Sequence, residues 1–160
     1  MPPTAGDTLP DVNGTAMTDG RPGPANLREL VGDKKTVIFG VPGAFTPTCT
    51  NDHLPTFAVG KDQLDAAGIE QTICMSTNDI FVLQAWNAAH GAEHITMLAD
   101  GSGDITRALD IGLDLSGLGL GFRCTRFAML VDGGVVKAFQ TEENPGTCAL
   151  TSAAAILEHA

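Results

Sequence analysis

Apolar residues along this chain follow two periods in alternation. "KTVIFGV" (Lys35 to Val41) is an unbroken β-branched and aromatic run, the pattern of a strand buried on both faces. "IEQTICMS" (Ile69 to Ser76) and "ITMLAD" (Ile95 to Asp100) predict a second and a third strand. Between them the spacing turns helical. One helix is expected from Cys49 to about Ala67, kinked near Pro55. Another lies in "NDIFVLQAWNAAHG", with Asn78 as N-cap and Gly91 just past its end. "DITRALDI" predicts a third short helix. "TRFAMLVDGGVVKAF" then predicts two strands joined at Asp132-Gly133-Gly134, a hairpin signal. "TSAAAILEHA" closes the chain as a helix capped by Thr151 or Ser152. The first 26 residues, rich in Gly, Pro and Thr, read as an extended lead-in, followed by a helical turn at "NLREL" with Asn26 as N-cap. "DLSGLGLGFRC" (Asp114 to Cys124) reads as a Gly-rich loop without phosphate-binding spacing.

Strands alternating with helices imply parallel pairing, right-handed crossovers and helices on both faces of the sheet. The closing hairpin adds antiparallel strands. The expected fold is therefore α/β, a thioredoxin-like mixed β-sheet sandwiched by helices, in a single domain over residues 1–160. A net charge of -10 with no Lys/Arg cluster leaves no footprint for nucleic acid. No apolar run is long enough to span a bilayer, and the N-terminus has neither a basic start nor an apolar core of a signal peptide, so a cytoplasmic location is expected. Cys49, Cys74, Cys124 and Cys148 form no C-x-x-C pair and no zinc-type spacing with His53, His90, His94 or His159. No metal or cofactor is expected, and the thiols are free, buried or redox-active.

Cys49 stands out because a strand ends and a helix begins around it, which is where α/β proteins place chemistry. Thr46 suits an N-cap and Pro47 the first helical position, where a missing N–H costs nothing. Cys49 then falls in the first turn, near unpaired N–H groups and the positive end of the helix dipole. Both favour the thiolate, the reactive form. A small cysteine filling a core gap is the bland alternative.

"PGAFTPTC" (Pro42 to Cys49), followed by "HLPTF", resembles the active-site motif P-x-x-x-[T/S]-x-x-C of the peroxiredoxins, in the form of the peroxiredoxin 5 (type II, atypical) subfamily. The likeness continues through "CMSTNDIFVLQAW", "LADGSG" and "RFAMLVDGGVVKAF", and covers the chain from about Ala25 onward. The resemblance implies a thiol-dependent peroxidase acting on hydrogen peroxide and small organic hydroperoxides. It makes Cys49 the peroxidatic cysteine and puts the Thr46 hydroxyl on the peroxide. Pro42 would shield the sulfur, Gly43 would border the substrate, and Arg126 would hold thiolate and peroxide by charge-assisted hydrogen bonds. Arg123 is the neighbouring alternative to Arg126.

The sulfenic acid left on Cys49 must be resolved, and here the resemblance divides. Cys148 in "NPGTCAL" matches the resolving position of animal members, whereas Cys74 in "TICMS" matches the second cysteine of plant members. Thioredoxin or glutaredoxin with glutathione is the implied reductant, and a homodimer the implied assembly. Cys124 has no counterpart and reads as structural. His53, four residues after Cys49, shares its helix face and reads as a packing or hydrogen-bonding residue rather than a base. Phe45, Trp86 and Phe122 read as core, pocket rim or interface. Two other classes stay open at this level: a general thiol–disulfide oxidoreductase, and a redox sensor in which oxidised Cys49 alters a partner contact.

Overall fold

The computed structural model describes Met1–Ala160. Its centre is a seven-stranded sheet in the order β2 (Arg21–Asn26), β1 (Asn13–Thr18), β5 (Thr96–Ala99), β4 (Gln71–Ser76), β3 (Thr36–Gly40), β8 (Phe127–Asp132) and β9 (Val135–Thr141). The expected strands are present as β3 (Thr36–Gly40), β4 (Gln71–Ser76) and β5 (Thr96–Ala99), mutually parallel. β8 (Phe127–Asp132) runs antiparallel to β3 and forms a hairpin with β9 (Val135–Thr141). Gly133 and Gly134 both have positive φ, as a two-residue turn matched to strand twist requires.

Alternation along β3 explains its unbroken apolar run. Val37 and Phe39 belong to one buried cluster, with Leu54, Phe57, Leu83 and Trp86. Ile38 belongs to the other, with Ile73, Met75, Phe127 and Met129. Period-two geometry sends neighbours to opposite faces, so a central strand covered on both sides is almost wholly apolar, with Thr36 at its start the exception.

The helices are α1 (Leu27–Val31), α2 (Leu54–Ala58), α3 (Lys61–Ala66), α4 (Ile80–Ala89), α5 (Asp104–Ala108) and α6 (Ala153–Leu157). Asn26 caps α1 and Ser152 caps α6, each accepting a backbone N–H. At α4 the cap is Asp79 rather than Asn78, with its carboxylate accepting the Val82 N–H. Asn78 has another task, described below.

Three regions differ from expectation. The lead-in is not irregular: β1 (Asn13–Thr18) and β2 (Arg21–Asn26) form an antiparallel hairpin on the sheet's edge. Pro22 and Pro24 are tolerated there because an edge strand need not donate on its outer side. The Gly-rich loop contains β7 (Phe122–Cys124), paired with β6 (Gly112–Asp114) in a separate two-stranded sheet. The helix beginning at Pro47 winds as a π-helical turn over Cys49–His53, continues as α2, and breaks at Val59-Gly60 before α3. Pro55 explains the wide turn. It has no N–H to give the preceding turn, and its ring crowds the carbonyl of Asn51, so the Leu54 N–H reaches back to Cys49 instead.

Candidate active site

Cys49 sits where the C-terminal end of β3 feeds the helix, and its side chain is only 1 % exposed. Arg126, immediately before β8, is equally buried. Its Nη2 donates to Cys49 Sγ at 3.0 Å, its Nη1 to His53 Nδ1 at 2.8 Å, and its Nε to the Pro145 carbonyl at 3.0 Å. A guanidinium has five N–H donors, so two remain to point at a ligand. Antiparallel pairing of β3 with β8 accounts for the meeting, since Gly40 stands opposite Phe127. Gly40 has no side chain because the Phe127 ring occupies the place: a Cβ there would lie 2.1 Å from it.

His53 is wholly buried beside the stacked rings of Phe39 and Phe57, whose centroids lie 5.1 and 5.7 Å away. Its Nε2 meets the Thr151 carbonyl at 2.8 Å. A carbonyl only accepts, so Nε2 carries the proton and Nδ1 is left to accept from Arg126. Burial, then the adjacent Arg126 charge, lowers the His53 pKa to about 3, against a smaller opposing effect of the Thr151 carbonyl. The ring is neutral across the working pH range. It is an acceptor that aims Arg126, in keeping with a hydrogen-bonding role rather than that of a base.

The loop before the helix is stiff for identifiable reasons. Thr46 Oγ1 donates to the Gly43 carbonyl at 2.6 Å, which leaves its lone pairs free. Gly43 permits this closeness, because a Cβ there would lie 3.0 Å from Thr46 Cγ2 and 3.2 Å from Arg123 Nη1. Arg123 does not reach the sulfur. It donates to the carbonyls of Pro42 and Leu120, joining the motif loop to the Gly-rich segment. Asn78 Oδ1 accepts the Ala44 N–H and the Ser76 hydroxyl, and so holds the turn in which Phe45 takes a left-handed φ of 64°. Trp86 Nε1 donates to Thr50 Oγ1, beside Cys49.

A cleft of about 260 Å³ opens over this site, lined by Pro42, Thr46, Cys49 and Arg126 together with Leu115, Leu118, Leu120 and Pro145. Its lining combines a few polar groups with apolar side chains and leaves room for a small molecule only.

The other cysteines separate by environment. Cys74 lies mid-sheet in β4 beside Phe39 and Met97, and burial, then the nearby Cys49 and Cys124, pushes its thiol well above the ordinary range. Cys124 is buried and donates to the Val41 carbonyl, its pKa pushed up to about 12 chiefly by burial. Cys148 is half-buried in the loop after β9, with a pKa raised first by burial.

That loop supplies groups no motif announces. The Pro145 carbonyl holds Arg126, the Thr151 carbonyl holds His53, and the Gly146 carbonyl accepts the Thr48 hydroxyl. Glu142, buried at the start of the loop, accepts at one carboxylate oxygen from the N–H groups of Ala149, Leu150 and Thr151 and from the Thr151 hydroxyl. Burial alone would raise its carboxyl, but donors from Leu150, Ala149 and Thr151 outweigh that and hold it below the usual range.

A buried thiol under a guanidinium, at a strand–helix junction in a mixed sheet, defines a thioredoxin-like thiol enzyme. Comparison with known proteins agrees. The redoxin family model matches residues 4–157. The chain is 42 % identical over 159 residues to Peroxiredoxin-2C of Oryza sativa subsp. japonica, covering 98 % of both chains. It is 39 % identical to Peroxiredoxin-2D of Arabidopsis thaliana over the same length and coverage. Reduced Prx3 from Vibrio vulnificus, solved in complex with hydrogen peroxide, superposes with a TM-score of 0.91 at 41 % identity, over 97 % of each chain. Peroxiredoxin 5 from Alvinella pompejana superposes with a TM-score of 0.84 at 32 % identity, over 99 % of this chain and 97 % of its own. The chain belongs to the redoxin family and, within it, to the peroxiredoxins of the peroxiredoxin 5 type. It is a thiol-dependent peroxidase.

Proposed function

We propose that Cys49 is the peroxidatic thiol and that its substrates are hydrogen peroxide and small organic hydroperoxides. The observation that carries this is the Arg126 Nη2 to Cys49 Sγ contact in the lining of the cleft. A guanidinium donor on the sulfur favours the thiolate. Thr46, its proton committed to Gly43, presents a lone pair to the peroxide O–H. The two spare Arg126 donors take the peroxide oxygens. The thiolate attacks one oxygen, the O–O bond breaks, and its electron pair leaves as hydroxide or alkoxide, which takes up a proton. Cys49 becomes a sulfenic acid. Charge moves from sulfur to the departing oxygen, and the same guanidinium faces both, so stabilisation follows the charge. Pro42 and Gly43 border the site and limit access of water.

Resolution falls to Cys148 or to an external thiol. Cys148 lies in an irregular loop with part of its surface in solvent, whereas Cys74 would have to leave the centre of the sheet. Thioredoxin, or glutaredoxin with glutathione, then restores the enzyme. Exposed Leu118 in the cleft lining and exposed Phe45 beside Thr46 support a homodimer through this face, and four unpaired cysteines fit a reducing cytoplasmic setting. The deciding experiment is peroxide turnover by folded Cys49→Ser. Loss of activity is expected, and substantial turnover would remove Cys49 from the reaction.

A further inference from the structure

A buried carboxylate is costly unless donors surround it, and Glu142 meets that cost with one short stretch of chain. Its Oε1 lies 2.7 Å from the Ala149 and Leu150 nitrogens, 3.1 Å from the Thr151 nitrogen and 3.0 Å from the Thr151 hydroxyl. Successive N–H groups converging on one oxygen form an anion nest. No Lys or Arg pairs with it.

What the nest holds is the point. Thr151 is the residue whose carbonyl accepts the His53 proton, and His53 in turn accepts from Arg126, which donates to Cys49. The same loop carries the Pro145 carbonyl on Arg126 Nε and the half-buried Cys148. Any motion that takes Cys148 toward another sulfur therefore withdraws carbonyls that aim the guanidinium. Closed, the loop builds the peroxide-reactive site. Open, it presents Cys148 and disassembles that site.

We propose that Glu142 is a positioning residue that latches this loop, and so sets the balance between thiolate activation at Cys49 and exposure of Cys148. The proposal rests on Cys49 being the peroxidatic thiol. It does not need Cys148 to be the physiological resolving group, only that the two thiols respond in opposite directions to one carboxylate.

The test uses Glu142→Gln and Glu142→Ala in the full chain. Two rates are read: oxidation of Cys49 by hydrogen peroxide in stopped flow, and alkylation of Cys148 by iodoacetamide in the reduced protein, followed by mass spectrometry. Glutamine keeps shape and an acceptor but loses the charge that roughly doubles the bonds. Alanine removes the acceptor. Peroxide oxidation should slow about threefold in Glu142→Gln and about tenfold in Glu142→Ala, while Cys148 alkylation speeds by similar factors. Val136→Ala, in the core on the other face of the sheet, controls for general loss of stability and should shift neither rate. If Glu142→Ala does not fold, the glutamine variant carries the test alone. Either rate staying at its wild-type value in the folded variants overturns the latch. Peroxide turnover by Cys49→Ser would instead overturn the assignment beneath it.

Discussion

Arg126 and Cys49, 77 positions apart in the chain, are joined by a 3.0 Å hydrogen bond from guanidinium nitrogen to sulfur, with each side chain only 1 % exposed. The guanidinium's remaining ties, to the Pro145 carbonyl and His53, leave it little freedom to turn away. A buried charge so tied is preorganised, and preorganisation is what catalysis by electrostatics requires.

Arg126→Ala should slow oxidation of Cys49 by hydrogen peroxide by about two orders of magnitude or more, about 3 kcal/mol in the barrier. Arg126→Lys should recover little of this, because one ammonium cannot meet a sulfur, a ring nitrogen and a carbonyl in the geometry of a planar fork. Stopped-flow oxidation across pH measures both variants. A rate within threefold of wild type in Arg126→Ala would place the anion-stabilising group elsewhere.

Thr46→Val should lose most of the peroxide rate, whereas Thr46→Ser should keep most of it. Valine cannot donate to the Gly43 carbonyl or offer a lone pair, while serine can do both. The valine variant should also leave the Gly43 carbonyl short of a donor, lowering stability by about 1 kcal/mol. Parallel kinetics and urea unfolding separate the two effects.

His53 should make the fold acid-labile before any carboxylate does. In the native state its pKa is about 3 against an ordinary 6.5, so between those values the unfolded chain binds a proton that the folded chain refuses. Stability therefore falls as pH drops through that window, by up to about 1.4 kcal/mol per pH unit. His53→Asn should flatten this stretch. Glu142, held below the usual carboxylate range, adds loss of the same sign only further into acid. Urea midpoints between pH 7 and pH 4 are the measurement, and a wild-type midpoint that does not move would contradict the buried neutral imidazole.

Cys148→Ser should leave fold and peroxide oxidation rate intact but prolong the sulfenic acid on Cys49, seen as increased dimedone labelling and faster overoxidation. Cys74→Ser should behave in the reverse sense. A hydroxyl in the centre of β4 costs about 1–3 kcal/mol if it finds no partner, yet turnover should be unaffected. Normal turnover of Cys148→Ser with glutaredoxin and glutathione would identify an external thiol as the resolving group.

Much of this was legible in the chain, for physical reasons that differ from element to element. β3, β4 and β8 announce themselves because strands covered on both faces tolerate almost nothing polar. The region around Cys49 is legible because a strand end and a first-turn proline coincide with a known motif, although the Thr46 hydroxyl turns back to Gly43 instead of capping the helix. The β1–β2 hairpin was hidden by its prolines, although Asp19-Gly20 carries the signal: both residues have positive φ in a two-residue turn. The wide turn at Cys49–His53 needed one further step, from a kink at Pro55 to the carbonyl it displaces. Pro145, Gly146 and Thr151 carry no sequence signal for these contacts. They act through carbonyl oxygens, which every residue has, and only the fold decides which of them face Arg126, His53 and Thr48.

That last property has a consequence for how the enzyme can change. Support delivered by main-chain carbonyls is blind to side-chain identity, so residues 145–150 can be exchanged without withdrawing the carbonyls that hold Arg126 and His53, while Thr151 also lends its hydroxyl to Glu142. A cysteine can enter or leave position 148 because its sulfur touches only the Thr151 hydroxyl, not the carbonyls that hold Arg126 and His53. Substitution at position 148 thereby alters the half of the reaction that meets the reductant without removing a group from the half that meets peroxide. A lineage can rewire its supply of electrons by single substitutions in this loop while the peroxide-reactive centre stays as it is.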